Sequence, residues 1–414
     1  METKRTAKPT QLYKTKEECC ACGACLNICQ RQAIRMEEDA QGFLYPRIQE
    51  ELCIHCGRCE KVCVYGSASL KQEVGQAYVS AAKDRDILMS SSSGGIFTLL
   101  AETIVEDGGA VYGAALVPAG DSIWPKHIRV TRRAEIEKLQ GSKYVHSEIG
   151  FCLKRAEEDL LAGRPVLFSG TPCQIAGLKG YLGKDYPDLY TVDIICHGVP
   201  SARFFQDYLE ERWGRKKRKI LDFKFRDKKN GWGLNAKLIY RDKKGKIRSR
   251  YIPSGASSYY DLFLKSEIYR ENCYLCPYAG KERVGDLTLG DYWGIQREHP
   301  ELLKEAGGKY DTETGISCIL VNNTKGKALL DKISGKVQMD RSTIEKAANE
   351  NGQLKFPSSR PDTREQVLSL YRDGGYAAVE AYFRGRNGLR TAYCYLKNRV
   401  PRSLKNKIKK KLGR

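Results

Sequence analysis

Residues 19–63 decide the fold of the N-terminal part of the chain and read CCACGACLNICQRQAIRMEEDAQGFLYPRIQEELCIHCGRCEKVC. They contain the pattern C-x2-C-x2-C-x3-C twice, with 23 residues between the two copies. The first copy is Cys19, Cys22, Cys25 and Cys29, and the second is Cys53, Cys56, Cys59 and Cys63. Where this pattern is doubled, three cysteines of each copy bind one [4Fe-4S] cluster and the fourth binds the other. The spacing therefore predicts two [4Fe-4S] clusters.

Interleaved ligation assigns four cysteines to each cluster. The first cluster would be bound by Cys19, Cys22, Cys25 and Cys63. The second would be bound by Cys53, Cys56, Cys59 and Cys29. Gly23 and Gly57 follow the second cysteine of each copy, where the backbone must turn tightly. Two-cluster ferredoxins usually have proline after the fourth cysteine, whereas this chain has Gln30 and Val64. Zinc is the alternative metal, but its tetrahedral site makes no use of the doubled spacing. Cys20 is left over and is interpreted as a free thiol.

Length and composition limit the classes of protein to which the chain can belong. The length of 414 residues is typical of two or three domains. The hydrophobic content of 41% lies near the globular range and argues against wholesale disorder. Sixteen cysteines are too few for a small disulfide scaffold. Because the sequence has neither a secretory signal nor an apolar run of about 18 residues, we expect a cytoplasmic protein whose clustered cysteines hold metal.

Strands and helices alternate after the cysteine-rich stretch, which predicts a mixed α/β core with parallel strands. Strands are predicted at 77–83, 110–117, 165–168 and 189–195, and helices at 96–105, 148–162, 172–182 and 202–212. Residues 220–252 alternate as β-strands do and predict a sheet insertion, in which strands at 237–240 and 247–252 flank a turn. The expected organisation is a two-[4Fe-4S] ferredoxin-like domain at 1–75, the α/β core at 76–310, an α-rich C-terminal part at 311–395 and a basic amphipathic tail at 396–414.

Several loops of the predicted core have residues suited to a ligand. Residues 90–95 read SSSSGG before a predicted helix, where free N–H groups and hydroxyls favour an anion such as phosphate. A flexible linker with a serine N-cap explains the same stretch. Cys173 and Cys196 follow predicted parallel strands, at the edge where α/β proteins bind ligands. With the pair Cys273 and Cys276 they form a candidate third cluster site, the alternative being structural thiols.

The chain has 71 Lys plus Arg and 50 Asp plus Glu. Its positive charge is concentrated in two stretches of the sequence. Residues 396–414 have nine Lys or Arg, no acid, and an apolar residue at every fourth position from Leu396. A helix there would fit an anionic membrane surface, although Pro401 weakens it; a solvated tail and nucleic-acid contact are the alternatives. Residues 212–250 predict a solvated face or an anionic-substrate rim, and no motif indicates specific nucleic-acid binding.

Motifs in a fixed order give the chain a resemblance to a known family. They are the cysteine box, SSSSGG at 90–95, GSKY at 141–144, GTPCQ at 170–174, CHGVP at 196–200, the pair Cys273 and Cys276, and GD-x3-GD-x-WG at 285–294. Over residues 19–295 the chain resembles the coenzyme F420 hydrogenase/dehydrogenase beta-subunit family. The resemblance implies an α/β core that binds FAD and exchanges electrons with [4Fe-4S] clusters.

The resemblance also implies which residues meet the flavin. The 90–95 loop and Lys143 would contact FAD, and two further loops would line the flavin or a nearby cluster. These residues are Ser92, Ser93, Gly94, Gly95, Lys143, Gly170, Thr171, Gln174 and Gly198. No G-x-G-x-x-G motif follows a strand, so FAD is expected from the resemblance alone. Nothing in the sequence selects coenzyme F420 as the partner of the flavin.

The leading hypothesis is a cytoplasmic, soluble or membrane-peripheral iron–sulfur flavoprotein oxidoreductase. It would pass electrons between two [4Fe-4S] clusters and FAD, and on to a small organic acceptor that is F420-like or linked to polysaccharide synthesis. A redox partner protein or reduced ferredoxin would exchange the electrons. His197 is the candidate for proton transfer, because the ordinary pKa of histidine suits neutral pH; a structural histidine is the alternative. Two other hypotheses are a non-catalytic electron-transfer subunit and a basic surface-binding protein with structural clusters.

Overall fold

The structure is a computed structural model that describes residues 12–63, 65, 70–214 and 218–399. Val64, the 215–217 part of the basic stretch and residues 400–414 of the predicted tail lie outside these residues.

The N-terminal module consists of two short helices joined by a β-hairpin. Helices α1 (Ala24–Ile28) and α2 (Arg58–Lys61) contact each other, and strands β1 (Ile34–Glu38) and β2 (Leu44–Ile48) pair antiparallel. Each helix begins after a glycine in the left-handed conformation, Gly23 with φ 76° and Gly57 with φ 69°. Because other residues rarely adopt this conformation, the two glycines allow the chain to turn between the second and third cysteines of each copy.

The core is one eight-stranded mixed sheet. Its strands are β3 (Gln76–Ala82), β4 (Ala110–Ala119), β5 (Ser122–Val130), β6 (Val166–Gly170), β7 (Leu189–Ile194), β11 (Leu287–Asp291), β12 (Ser317–Val321) and β13 (Val337–Ser342). Their order is β13-β3-β12-β11-β7-β6-β4-β5. The central strands β11, β7, β6 and β4 are parallel to one another, and antiparallel strands flank them on both sides.

Helices cover both faces of this sheet. They are α3 (Arg85–Ser90), α4 (Ile96–Glu106), α5 (Cys152–Leu161), α6 (Pro172–Leu182), α9 (Ile295–Glu298), α10 (Thr324–Asp331) and α11 (Ile344–Asn349). Alternate residues of one strand face opposite sides, so Val111 of β4 packs with α4 whereas Tyr112 packs with α5 and α6. The central strands are buried on both faces, as expected for parallel strands.

A second, largely aromatic unit packs beside the sheet. It contains the three-stranded antiparallel sheet β8 (Lys219–Lys224), β9 (Ala236–Arg241) and β10 (Ile247–Ile252), with helices α7 (Ala202–Trp213), α8 (Ser258–Leu264) and α12 (Thr363–Arg399). Gly375, with φ 62° and ψ −166°, interrupts the helical backbone of α12. This break divides α12 into residues 363–374 and 376–399.

The prediction of a mixed α/β core after a ferredoxin-like module is confirmed. The strand predicted at 247–252 and the helix predicted at 172–182 have the observed bounds, and the other predicted elements are found with shifted ends. Residues 311–395, expected to be α-rich, also supply strands β12 and β13 to the core sheet. Among the described residues, no helix combines the length and apolar character needed to cross a membrane.

Candidate functional site

The first cysteine group combines both copies of the motif and consists of Cys19, Cys22, Cys25 and Cys63. Burial raises the pKa of the Cys25 thiol well above its ordinary value, and the nearby thiols of the other three raise it further. Burial likewise raises the pKa of Cys19, and the nearby thiols of Cys22 and Cys63 raise it further. The structure thus brings together the four cysteines that interleaved ligation assigns to one cluster.

The second cysteine group, Cys29, Cys53, Cys56 and Cys59, reaches the surface of the protein, as does Cys63 of the first group. Cys56 is exposed, and the other three are partly buried. The Ala33 N–H donates to Cys29 Sγ at 3.3 Å. Burial raises the pKa of Cys59, and the nearby groups of Glu60 and Cys56 raise it further. Since N–H···S contacts and solvent exposure both tune cluster potentials, the two groups offer different environments.

The third cysteine group, Cys173, Cys196, Cys273 and Cys276, lines a small cavity behind the carboxyl ends of β6 and β7. Burial raises the pKa of Cys196 well above its ordinary value, and the other three thiols raise it further. Burial also raises the pKa of Cys273 to about 12 and that of Cys276 to about 11. The structure therefore places all four predicted residues around one space, although they come from three separate stretches of sequence.

Cys20 lines the same small cavity, which the sequence did not indicate. Its thiol is buried and lies within hydrogen-bonding reach of Cys22 and Cys173. The contact with Cys20 is the main cause that lowers the pKa of Cys173 to about 7, and the Thr171 hydroxyl, 3.1 Å from Cys173 Sγ, acts in the same direction. Cys20 therefore connects the first cysteine group with the third.

No three Cys, His, Asp or Glu side chains converge closely enough for one metal ion within residues 12–63, 65, 70–214 and 218–399. A four-iron cluster spaces its thiolates more widely than a single ion, because each sulfur binds a different iron. The donor set of each cysteine group, four thiols and no carboxylate, is the set that [4Fe-4S] clusters use.

A large cavity of about 750 Å³ opens at the carboxyl ends of the parallel strands. This volume lies within the range of about 300–1,000 Å³ that is usual for cofactor and ligand sites. Nine of the residues singled out from the sequence line it, namely Ser92, Ser93, Gly95, Lys143, Gly170, Thr171, Gln174, His197 and Gly198. Gly94 is packed against the sheet instead, where an added Cβ would lie 2.6 Å from the Ser80 carbonyl oxygen.

Polar side chains hold the walls of the large cavity in place. Lys143 Nζ donates to the Leu139 and Gln140 carbonyls at 2.9 Å each, and burial lowers the pKa of Lys143 to about 7. Gln174 accepts from the Thr171 N–H at 3.0 Å and donates to the Ser147 carbonyl at 3.0 Å. These contacts fix the loop at 139–147 and the start of α6 relative to each other.

Two buried histidines that the sequence did not single out line the large cavity. His127 uses both ring nitrogens, since Nε2 lies 3.0 Å from the Ser169 carbonyl and Nδ1 lies 2.8 Å from Ser147 Oγ. His146 is 7% exposed, and its Nε2 has no hydrogen-bond partner within the described part of the chain. Burial lowers the pKa of His127 to about 4 and that of His146 to about 3. Both imidazoles are therefore neutral at pH 7.

The small and large cavities share a wall formed by Cys196, His197 and Gly198. Gly198 has φ 134°, and an added Cβ would lie 2.3 Å from the Tyr269 ring, so this position requires glycine. Ser358 Oγ donates to the His197 carbonyl at 2.5 Å. The surrounding protein lowers the pKa of His197, against the opposing effect of the Asp291 carboxylate. One short loop thus separates the third cysteine group from the large cavity.

The two carboxylates of the 285–294 run have different surroundings. Asp286 accepts hydrogen bonds from Thr191 and Asn323 and is almost fully buried, so it supports the sheet. Asp291 lines the large cavity, where it accepts from Arg226 Nη1 at 2.7 Å and Trp232 Nε1 at 3.2 Å. Of the two, Asp291 is the one positioned at the site.

Doubled cysteine motifs beside an α/β cavity define the class of an iron–sulfur redox protein. Residues 18–67 match the 4Fe-4S dicluster domain, and residues 77–154 and 163–347 match the N-terminal and C-terminal parts of the coenzyme F420 hydrogenase/dehydrogenase beta subunit. Because these two parts together span more than half of the sequence, the chain belongs to the coenzyme F420 hydrogenase/dehydrogenase beta-subunit family.

The search of solved structures found a chain of the F420-reducing [NiFe] hydrogenase complex from Methanosarcina barkeri, studied by xenon derivatization. The match has 18% sequence identity and a TM-score of 0.42, and covers 75% of this chain and 90% of that chain. No curated protein matches.

Proposed function

We propose that this protein is an iron–sulfur flavoprotein oxidoreductase that passes electrons between [4Fe-4S] clusters and FAD, and on to an organic acceptor. The observation that carries the proposal is the shared wall of Cys196, His197 and Gly198 between the third cysteine group and the large cavity. A cluster on one side of this wall and a flavin on the other would be separated by one loop. Such proximity is what electron transfer between the two groups requires.

The cysteine groups would provide a chain of cluster sites leading to that wall. The second group reaches the surface at Cys56, next to Ile54, which is 63% exposed, and would exchange electrons with a redox partner protein or reduced ferredoxin. The first group would follow, and Cys20 connects its member Cys22 with Cys173 of the third group. This order runs from solvent to the buried core.

The large cavity fits FAD in its polarity as well as in its volume. Ser92 precedes α4 and offers a hydroxyl whose oxygen accepts from the Ser142 N–H and whose proton is free for a phosphate, whereas the Ser93 hydroxyl donates to the Ile316 carbonyl. His146 lines the cavity, and its buried Nε2 has no partner among the described residues, so it is free to form a hydrogen bond with the occupant. When bound, FAD can exchange electrons singly with a cluster and in pairs with an organic molecule.

His197 is proposed to hold and transfer the proton that accompanies electron transfer to the organic acceptor. It lies in the shared wall and reaches both cavities. The variant His197→Gln is expected to slow flavin turnover while leaving the optical spectra of the clusters unchanged. Unchanged turnover would contradict this role.

The main experiment is to measure iron and flavin per chain on anaerobically purified protein. About 8 iron with one FAD supports two clusters that serve a flavin, and about 12 iron adds the third cluster. About 8 iron with no flavin after reconstitution overturns the flavoprotein proposal. That result would instead favour the second candidate, a non-catalytic electron-transfer subunit, for which the exposed Cys56 is the supporting observation.

A further inference from the structure

The second half of α12, residues 376–399, is called the C-terminal arm here, and one of its faces rests on the protein. Phe383 on this face is only 3% exposed. Arg390 Nη1 lies 3.3 Å from Asp261 Oδ1 of α8, and Cys394 packs so closely on Gly255 that an added Cβ there would lie 2.7 Å from its sulfur. These contacts fix the orientation of the arm.

Another face of the arm presents an apolar stripe to solvent. Leu389 is 92% exposed, and Tyr393 and Leu396 are each 62% exposed. Because these residues are four and three positions apart, they share one side of the helix. Single exposed leucines are common on proteins, but three large side chains in a row form a continuous apolar surface.

Positive charge accompanies this stripe. From residue 381 to the end of the sequence there are twelve Lys or Arg and no Asp or Glu. Arg386 and Arg390 are paired with Glu267 and Asp261 of the body, whereas Lys397 Nζ lies 5.9 Å above the ring of Tyr393. Nine of the twelve basic residues lie at 396–414, so the charge increases toward the end of the stripe.

We propose that the C-terminal arm binds the surface of an anionic lipid bilayer. A basic helix with one apolar face lies in the plane of a membrane, with its apolar side chains between the headgroups and its charges on anionic lipids. Leu389, Tyr393 and Leu396 would enter the bilayer, and Lys397, which lies over the Tyr393 ring, would bind lipid phosphates. The stripe begins seven residues before the tail predicted at 396–414, most of which lies outside the described residues.

Membrane binding through the arm would place the large cavity close to the lipid surface. The arm packs on α8, and Leu264, the last residue of α8, is 51% exposed and lines the cavity. Phe356, which is 60% exposed, also lines it. Two exposed apolar side chains therefore lie at the rim of the cavity.

The test is co-sedimentation of the full-length protein with vesicles. Equal parts of phosphatidylglycerol and phosphatidylcholine are expected to bind the protein at least about tenfold more tightly than phosphatidylcholine alone. Added salt is expected to weaken the binding, because salt screens exposed charges. The triple variant L389S/Y393S/L396S is expected to lose most of it. The matched control L161S changes another leucine, 69% exposed at the end of α5, and is expected to bind normally.

A second measurement keeps the test independent of how the variants fold. Amide hydrogen exchange of residues 386–397 in the unmodified protein is expected to slow when phosphatidylglycerol vesicles are added. Equal binding to both kinds of vesicle, or unchanged binding by the triple variant, would overturn the proposal. Sedimentation as a dimer that the triple variant converts to a monomer would also overturn it, because the stripe would then be a contact between two copies.

Discussion

Arg270 Nε donates a 2.7 Å hydrogen bond to the backbone carbonyl of Cys19 and so joins the core to the N-terminal module. The guanidinium also lies 4.0 Å above the ring of Tyr45 in β2, and the residue is only 1% exposed. Its positive charge acts to lower the pKa values of Cys19 and Cys173. One buried cation therefore lies beside both the first and the third cysteine groups, where it favours thiolates over thiols.

Replacing Arg270 is expected to loosen the module from the core. The variant R270M leaves the Cys19 carbonyl unpaired and removes the contact with Tyr45. We expect the free energy of unfolding to fall by about 2–4 kcal/mol. The measurement is the urea midpoint together with iron content. R360M is the control, because Arg360 is half-exposed and pairs with Glu271 and Glu365 near the surface, where such pairs contribute little. Equal midpoints for the two variants would contradict the predicted role of Arg270.

The third cysteine group predicts a specific change in iron content. If it holds a cluster, C273S is expected to lose about four iron per chain and to retain the iron of the other groups. C318S is the matched control, because Cys318 is also fully buried but lies in β12, away from both cavities. C20S tests whether Cys20 is a cluster ligand or only a neighbour of one. We expect its iron content to equal that of the unmodified protein. Equal iron in C273S and C318S would exclude a cluster at this group.

The sequence was most informative where cluster binding requires a fixed spacing between cysteines. The doubled cysteine pattern paired Cys63 with the first copy, and the structure places it beside Cys22 and Cys25. The parallel strands were predictable because buried strands are continuous apolar runs between helices. The sequence could not show that β12 joins the core sheet, because a short apolar run has the same pattern in a strand as in a buried helix. β13 reads VQMDRS, which is not an apolar run at all.

The residues that were missed at the site depend on contacts between distant parts of the chain. His146 lies two positions after Tyr144 in the GSKY motif, yet only the fold shows that it lines the large cavity and that its Nε2 has no partner among the described residues. Cys20 had no counterpart in the motif, and its position between Cys22 and Cys173 depends on how the module packs on α6. Spacing along the sequence contains no information about such contacts.

His146 is expected to affect binding of the flavin rather than the clusters. H146L replaces the polar imidazole in the cavity wall with an apolar side chain, so a polar group of the bound molecule would lose its hydrogen-bond partner, and we expect affinity for FAD to fall about tenfold. H146Q can offer an amide oxygen and is expected to restore most of the affinity. Flavin fluorescence titration measures both, and iron content is the check on folding. If H146L binds FAD as well as the unmodified protein does, Nε2 does not contact the flavin.

His127 predicts how stability depends on pH. Burial lowers its pKa from 6.5 to about 4, so between these values the unfolded chain binds a proton that the folded protein does not. Stability should therefore fall as the pH is lowered from about 6.5 to about 4, by up to about 3 kcal/mol from this residue. H127Q keeps polar groups near Ser147 and Ser169 but cannot titrate, so its stability is expected to fall less over the same range. Any acid lability of the cysteine groups is the same in the unmodified protein and in H127Q. The difference between the urea midpoints of these two proteins therefore reports the contribution of His127 alone. Parallel pH profiles would show that His127 is not held neutral by burial.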